Sequence, residues 1–323
     1  MRGPGPDASF RPMKPLVAVT EPLAAPAMTW LRSRARVVDG SLDPAALTEP
    51  TEVAGLVVRT LTRVDARWLD RLPALRVVGR AGVGLDNIDL DACRKRGVRV
   101  VHTPDANTQA VVEYVVALLC DAIRPRLFLE HAVDTAEWER VRQEVCGVRQ
   151  MDELTLGILG LGRIGSRVAQ VAAAIGFRVI FNDVLDIPEG RRHGAERVDA
   201  LTLFRTADVL TLHIDGRPAN RGFVDAAHIA AMKPDALLVN TCRGFVLDHE
   251  ALAAHLRRHP GSQALLDVHE PEPFTTSHPM LGLPNAHLAP HLASRTRTAM
   301  DRMSWVVRDV MAVLEGREPE FPA

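Results

Sequence analysis

The hexapeptide Gly160-Leu161-Gly162-Arg163-Ile164-Gly165 is the segment with the most specific chemistry. It closes the apolar run Thr155–Leu161 and opens Ile164–Ile175, which is apolar at helical spacing and stops at Gly176. Strand, glycine turn and helix in that order make a phosphate cradle. Gly160 permits the tight turn, Gly162 lets a pyrophosphate approach the backbone, and Gly165 lets helix and strand pack closely. Arg163 and Ile164 begin the helix whose free N–H groups and dipole face the phosphates. The next strand, Arg178–Asp183, ends on a carboxylate 18 residues beyond Gly165. Asp183 there accepts from ribose hydroxyls and repels a 2′-phosphate, so NAD is expected over NADP. Arg191 and Arg192, which follow within ten residues, are the only reason to consider NADP instead. A ligand-free glycine turn and a SAM-binding methyltransferase are the rival readings. The position of the motif, mid-chain between two α/β halves, disfavours the second.

An enzyme that moves a hydride between a nicotinamide and a carbonyl needs a cation or donor set on the substrate, a proton donor, and a carboxylate to tune that donor. Arg243 lies just beyond the run Ala236–Thr241, at the strand edge where open α/β sheets bind ligands, and its planar fork suits a carboxylate. His291, after Pro290, carries a group that gives and takes a proton near neutral pH. Taken singly, an arginine or one of 12 histidines is more often structural. Successive N–H groups around Gly82, Val83 and Gly84 can form an anion-binding concavity. Arg59 and Arg80 are candidates for a second anionic group, with ordinary solvent-facing charge as the plain alternative. His255 and His259 lack the glutamate of a zinc-protease helix, and Pro290 opposes a helix carrying His287 and His291, so no metal is expected. Cys242, beside Arg243, is expected to be a buried or inert thiol.

The elements that must position these groups alternate. Strand-like runs at 16–20, 36–40, 55–60, 75–82 and 97–103, with a helix-like stretch near Trp30, form a first βα series. Residues 108–123 are apolar at helical spacing and stop at Arg124-Pro125. A second series follows, with strands at 155–161, 178–183, 194–198, 208–214, 236–241 and 264–269, and a final helix over roughly 296–315. Short apolar strands between helices predict two doubly wound α/β domains with parallel sheets covered on both faces. Residues 1–13, rich in Pro and Gly, are expected to be a loose tail, and Met13 is an alternative start.

Composition removes other classes. The 39 Lys plus Arg against 40 Asp plus Glu leave a net charge of −1, without the basic excess of a nucleic-acid binder. Only Lys14, Lys95 and Lys233 are lysines, which leaves few candidates for Schiff-base chemistry. No run approaches the ~18 apolar residues of a membrane span, so no membrane partner is expected. Four scattered cysteines with no CxxC pair suggest a reducing compartment, and the cytoplasm is the expected location.

The ordered segments GRAGVGLDNID (79–89), GILGLGRIG (157–165), NTCRG (240–244), LDVHEPEP (266–273) and APHLAS (289–294) resemble the NAD-dependent D-isomer-specific 2-hydroxyacid dehydrogenases, in the style of short phosphoglycerate dehydrogenases and glyoxylate/hydroxypyruvate reductases. The resemblance spans roughly residues 14–316. It implies a discontinuous, flavodoxin-like substrate domain (14–103 and 294–323) around a central Rossmann NAD-binding domain (104–293), and a homodimer. It implies that Arg243 binds the substrate carboxylate and carbonyl, that His291 is the acid–base, and that Glu272 hydrogen-bonds it, with Glu270 a neighbouring alternative. It places Gly82, Val83 and Gly84 on the substrate carboxylate, Asp267 on the nicotinamide carboxamide, and His213 and Thr241 along the cofactor. The implied reaction moves a hydride between NAD and the 2-position of a D-2-hydroxy or 2-oxo acid. An NAD-binding sensor of the same fold is the alternative. Three departures stand out: Ile214–Asn220 replaces the family's usual segment after His213, Ala293 replaces a glycine, and Phe245 follows Arg243-Gly244.

Overall fold

A computed structural model describes residues 13–323, so all but the last residue of the expected tail lies outside the described residues. The chain divides into two compact units, one of residues 1–106 and 297–323, the other of residues 107–296.

The first unit holds strands β1 Leu16–Val19, β2 Arg36–Asp39, β3 Val53–Val58, β4 Val77–Arg80 and β5 Arg99–His102, with helices α1 Ala25–Arg34, α2 Ala66–Arg71 and α3 Leu90–Lys95 between them. They pair in parallel in the order β2-β1-β3-β4-β5, the doubly wound flavodoxin order. Both faces of this sheet are apolar and buried because helices cover both. Trp68, Leu69 and Cys93 pack on one face; Ala27, Leu31, Val307, Val310 and Met311 pack on the other. The single final helix expected over 296–315 is two, Arg297–Ser304 and Val307–Leu314. Ser304 explains the break. Its hydroxyl donates back to the Met300 carbonyl and accepts from the Ala24 amide, and the next two amides, of Trp305 and Val306, bond three residues back, to the Arg302 and Met303 carbonyls, instead of four.

The second unit opens with α4 Thr108–Ile123, as expected, followed by a helix the sequence pattern did not reveal, α5 Thr135–Glu144. Its strands β6 Thr155–Leu159, β7 Arg178–Asn182, β8 Glu196–Arg197, β9 Val209–Leu212, β10 Leu237–Asn240, β11 Gln263–Leu266 and β12 Ala286–Leu288 form a parallel sheet in the order β12-β11-β10-β9-β6-β7-β8. The order reverses between β6 and β9, and the turn after β6 therefore opens into the crevice where such sheets bind ligands. Helix α6, Arg163–Ala174, buries Val168, Ala169 and Ala172 against β6 and β7, which fixes the direction of its N-terminus.

Candidate active site

The glycine turn between β6 and α6 is held from three sides. Gly160 has φ +92°, a left-handed backbone that favours glycine, and a Cβ there would lie 2.9 Å from the His213–Ile214 backbone. A Cβ on Gly165 would lie 2.1 Å from the Gly160 carbonyl oxygen, so helix and strand touch only because residue 165 has no side chain. Asp183 fastens the turn: one oxygen accepts from the Leu161 amide at 2.7 Å, the other from Leu185 at 2.8 Å. In contrast, a Cβ on Gly162, the residue preceding the helix, would meet no protein atom within 4 Å. Open space above an N-terminal turn of free amides fits a pyrophosphate. Thr241, buried beyond β10, has a hydroxyl with no hydrogen-bond partner among the described residues, a further polar group suited to a cofactor. His213, beyond β9, is 3.0 Å from the Thr211 hydroxyl, and burial pushes its imidazole well below the ordinary histidine range, so it is neutral. Arg192 pairs with Asp186 and the Ile187 carbonyl, while Arg197 bonds the Asp183 carbonyl and Asp186.

Beyond the strand ends, the sequence-expected dyad forms. His291 Nδ1 lies 2.8 Å from Glu272 Oε2, with the two side chains 32% and 28% exposed, open enough to meet a substrate. Glu272 Oε1 accepts from the His269 amide at 2.9 Å. Burial pushes the Glu272 carboxyl up, but the hydrogen bond and charge of His291, with the His269 amide, outweigh it and hold the group below its usual value. An ionised carboxylate only accepts, so Nδ1 carries a proton, which leaves Nε2 as the ring nitrogen for exchange. Glu270 is paired elsewhere, with Arg221, which removes it as the alternative.

His291 has φ +56°, a strained backbone for a histidine. Asp267 holds it there: its two oxygens accept from the next two amides, Leu292 at 2.7 Å and Ala293 at 2.8 Å. Burial, the largest influence, raises the Asp267 carboxyl. Tyr114, on α4, hydrogen-bonds to Asp267, and its phenol is raised by burial and then by that charge. Asp267 thus positions the loop that carries His291, a role its spacing did not reveal. Asn240 was missed as well. Fully buried at the end of β10, it accepts from the Cys242 amide and donates to the Arg243 carbonyl, folding the turn that presents Arg243. An asparagine closing a buried strand just before such a turn was the available signal. Arg243 Nη1 donates to the Cys242 carbonyl at 2.6 Å. Cys242 is buried and its thiol pushed up to about 11 by that burial, an inert group.

The departures resolve differently. Ala293 is buried and belongs to the apolar core that holds Val111 and Val115. Ile214–Asn220 closes on Asp215, which accepts from Arg217 and Asn220 and is lowered chiefly by the Arg217 bond. Phe245 is covered by the Arg221 guanidinium at 4.7 Å.

In the first unit, the Gly82-Val83-Gly84 turn follows β4. His102 Nδ1 donates to the Val83 carbonyl at 3.0 Å, and the Thr103 amide to Gly82. Arg80 is buried and lies across Gly82, where a Cβ would fall 1.2 Å from its Nη1, so it is not the solvent-facing charge that the plain reading allowed. Arg59 reaches the Pro22 carbonyl and the Met300 sulfur, and its loop is clamped by Glu21. Among the described residues no group of three or more His, Cys, Asp or Glu could hold a metal ion.

Residues 116–293 match the model of the NAD-binding domain of D-isomer-specific 2-hydroxyacid dehydrogenases. The chain is 38% identical over 266 residues to an (S)-sulfolactate dehydrogenase of Chromohalobacter salexigens, covering 81% of this chain and 85% of that one. It is 36% identical over 280 residues to a glyoxylate reductase of Aeropyrum pernix, covering 84% and 83%. Its fold superposes with a TM-score of 0.81 on a D-lactate dehydrogenase of Aquifex aeolicus solved with NAD and lactic acid, at 26% identity over 93% of this chain and 96% of that one. The chain belongs to the D-isomer-specific 2-hydroxyacid dehydrogenase family. It is an NAD-dependent oxidoreductase that transfers hydride at the 2-position of 2-hydroxy and 2-oxo acids. No helix among the described residues is long and apolar enough to cross a membrane.

Proposed function

We propose that the chain reduces short 2-oxo acids, or oxidises the matching D-2-hydroxy acids, with His291 as the proton donor and acceptor. The 2.8 Å His291–Glu272 contact carries this reading. The nicotinamide, when bound, supplies or accepts the hydride. Glu272 fixes the ring and stabilises the imidazolium, Nε2 passes the proton to the nascent alkoxide, and Arg243 binds the carboxylate and polarises the carbonyl. The Gly82–Gly84 turn receives the carboxylate through its amides, with Arg80 and Arg59 as the cations for a second anionic group. Gly160, Gly162, Arg163, Ile164, Gly165, Asp183, His213, Thr241 and Asp267 bind the cofactor. Asp183 favours NAD over NADP, a preference supported by the engagement of Arg192 with Asp186. The division at residues 106/107 and 296/297 supports a substrate domain built from both chain ends and a central NAD domain.

The test is NADH oxidation at 340 nm with glyoxylate, hydroxypyruvate, 3-phosphohydroxypyruvate, pyruvate, sulfopyruvate and longer branched 2-oxo acids, with NADPH in parallel. Turnover of a short acid, lost by at least ~100-fold in His291→Ala with NADH binding retained, is expected. Near-normal turnover in that variant overturns the reading. A cytoplasmic location accords with four unpaired thiols.

We further infer a homodimer through residues 124–150. Helix α5 buries none of its residues within the chain, and Leu127, Phe128, Trp138 and Val148 are exposed by 52%, 82%, 50% and 96%. That much apolar surface in one segment fits a second copy. Sedimentation of Phe128→Asp/Trp138→Glu should give a monomer where the parent is dimeric; an unchanged dimer places the interface elsewhere.

A further inference from the structure

We infer that His269 is a positioning residue that ties together the segments carrying Arg243, Glu272 and His291; the inference rests on the acid–base role of His291 proposed above. His269 is buried just beyond β11 and touches all three segments. Its amide donates to Glu272 Oε1 at 2.9 Å, on the carboxylate whose other oxygen holds His291. Its Nε2 lies 2.8 Å from the carbonyl of Ala289, two residues before His291. A carbonyl only accepts, so Nε2 carries a proton, while Nδ1 has no hydrogen-bond partner among the described residues. Its backbone is pressed against Gly244, where a Cβ would lie 2.1 Å from the His269 carbonyl carbon; Gly244 directly follows Arg243.

The ring is itself fixed. Phe274 packs edge-on at 4.6 Å between centroids and His278 at 5.5 Å, so the imidazole has little freedom to leave Ala289. One side chain thereby sets the separation between the loop that carries Glu272 and the segment that carries His291. Without the Nε2–H bond, the Ala289 carbonyl loses its partner and the strained His291 backbone loses one of its restraints. Displacements of about 1 Å matter to proton transfer, because the donor must lie within hydrogen-bond reach of the alkoxide.

The experiment compares His269→Phe, which keeps a flat ring without the donor, with His269→Gln, whose amide reaches about as far and donates. NADH affinity by fluorescence, melting temperature, kcat and KM are measured with the best substrate of the panel, and His291→Ala is run alongside. The expected result for His269→Phe is a kcat at least ~10-fold lower, with NADH affinity and KM within about threefold of wild type, by analogy with the loss of supporting hydrogen bonds around reactive histidines. His269→Gln should recover to within about threefold. Wild-type kcat in His269→Phe, or an equal fall in His269→Gln, overturns the inference. An active His291→Ala instead overturns the underlying reading. Should His269→Phe not fold, long-range proton–nitrogen spectra of the wild-type imidazoles decide. An Nε2–H tautomer at His269 supports the bond to Ala289, and an Nδ1–H tautomer refutes it.

Discussion

Gly162 and Gly165 lie three residues apart in one turn, and an added methyl should do opposite things at the two. At Gly165 the new Cβ would sit 2.1 Å from the Gly160 carbonyl oxygen and 3.2 Å from Ile158 Cγ2. An ordinary carbon–oxygen contact is about 3.2 Å, so the start of α6 must move outward by roughly 1 Å, against backbone and not against a flexible side chain. Overpacking of that kind costs about 1–3 kcal/mol, or roughly 2–12 °C in melting temperature for a unit of this size. At Gly162 the same methyl meets nothing within 4 Å, so the free protein should melt within a degree or two of wild type. The phosphates, however, need that space. NADH binding to Gly162→Ala, followed by fluorescence titration, should weaken at least tenfold, about 1.4 kcal/mol. A Gly162→Ala protein that is stable and binds NADH as wild type does would show that the cofactor does not approach this amide. Unchanged stability of Gly165→Ala would show that the helix start is looser than its contacts imply.

Two further substitutions probe charge. Glu272→Gln keeps the size of the carboxylate but no longer stabilises an imidazolium; kcat for reduction should fall by roughly 10²-fold while KM, which the proposed reading assigns to Arg243, changes less than threefold, and a kcat within twofold of wild type refutes the orienting role. Glu21 accepts from the amides of Arg59, Thr60, Leu61 and Thr62 and from the Thr62 hydroxyl, and although burial raises its carboxyl, those bonds together hold it below the ordinary glutamate value of 4.5. A lowered folded value means stability that is complete above 4.5 and lost as pH falls through the folded pKa. Glu21→Gln should therefore cost about 2–4 kcal/mol at pH 7, with the gap to wild type closing as pH falls through the lowered pKa of Glu21, read from paired melting curves. A gap constant across pH refutes it.

Much of the scaffold was legible because parallel strands buried on both faces read as short apolar runs, and LVAVT, GLVVRT and RVIFND each carry a strand within two residues of the expected bounds. Helix 108–123 was legible for the same reason: its buried residues recur at helical spacing. Helix α5 was not, because it buries none of its residues within this chain and so shows no contrast between an apolar and a polar face. The break at Ser304 depends on the Ala24 amide, 280 residues away, which no local pattern encodes.

In the site, the legible part was the chemistry-bearing side chains; the illegible part was what holds them. Glu272 was separable from Glu270 only by resemblance, whereas in the folded chain an ion pair with Arg221 takes Glu270 away. His291 has a backbone conformation that disfavours any residue with a Cβ, and a sequence pattern has no sign for it. That conformation persists because Asp267 takes both following amides, Glu272 takes the ring and His269 takes the carbonyl two residues before. Strain of about 1–3 kcal/mol is thus offset by four hydrogen bonds, two of them from backbone amides to a single carboxylate. The His291 imidazole is therefore fixed by its surroundings before any substrate arrives, and in the proposed acid–base role the residues that fix it decide where its proton is delivered.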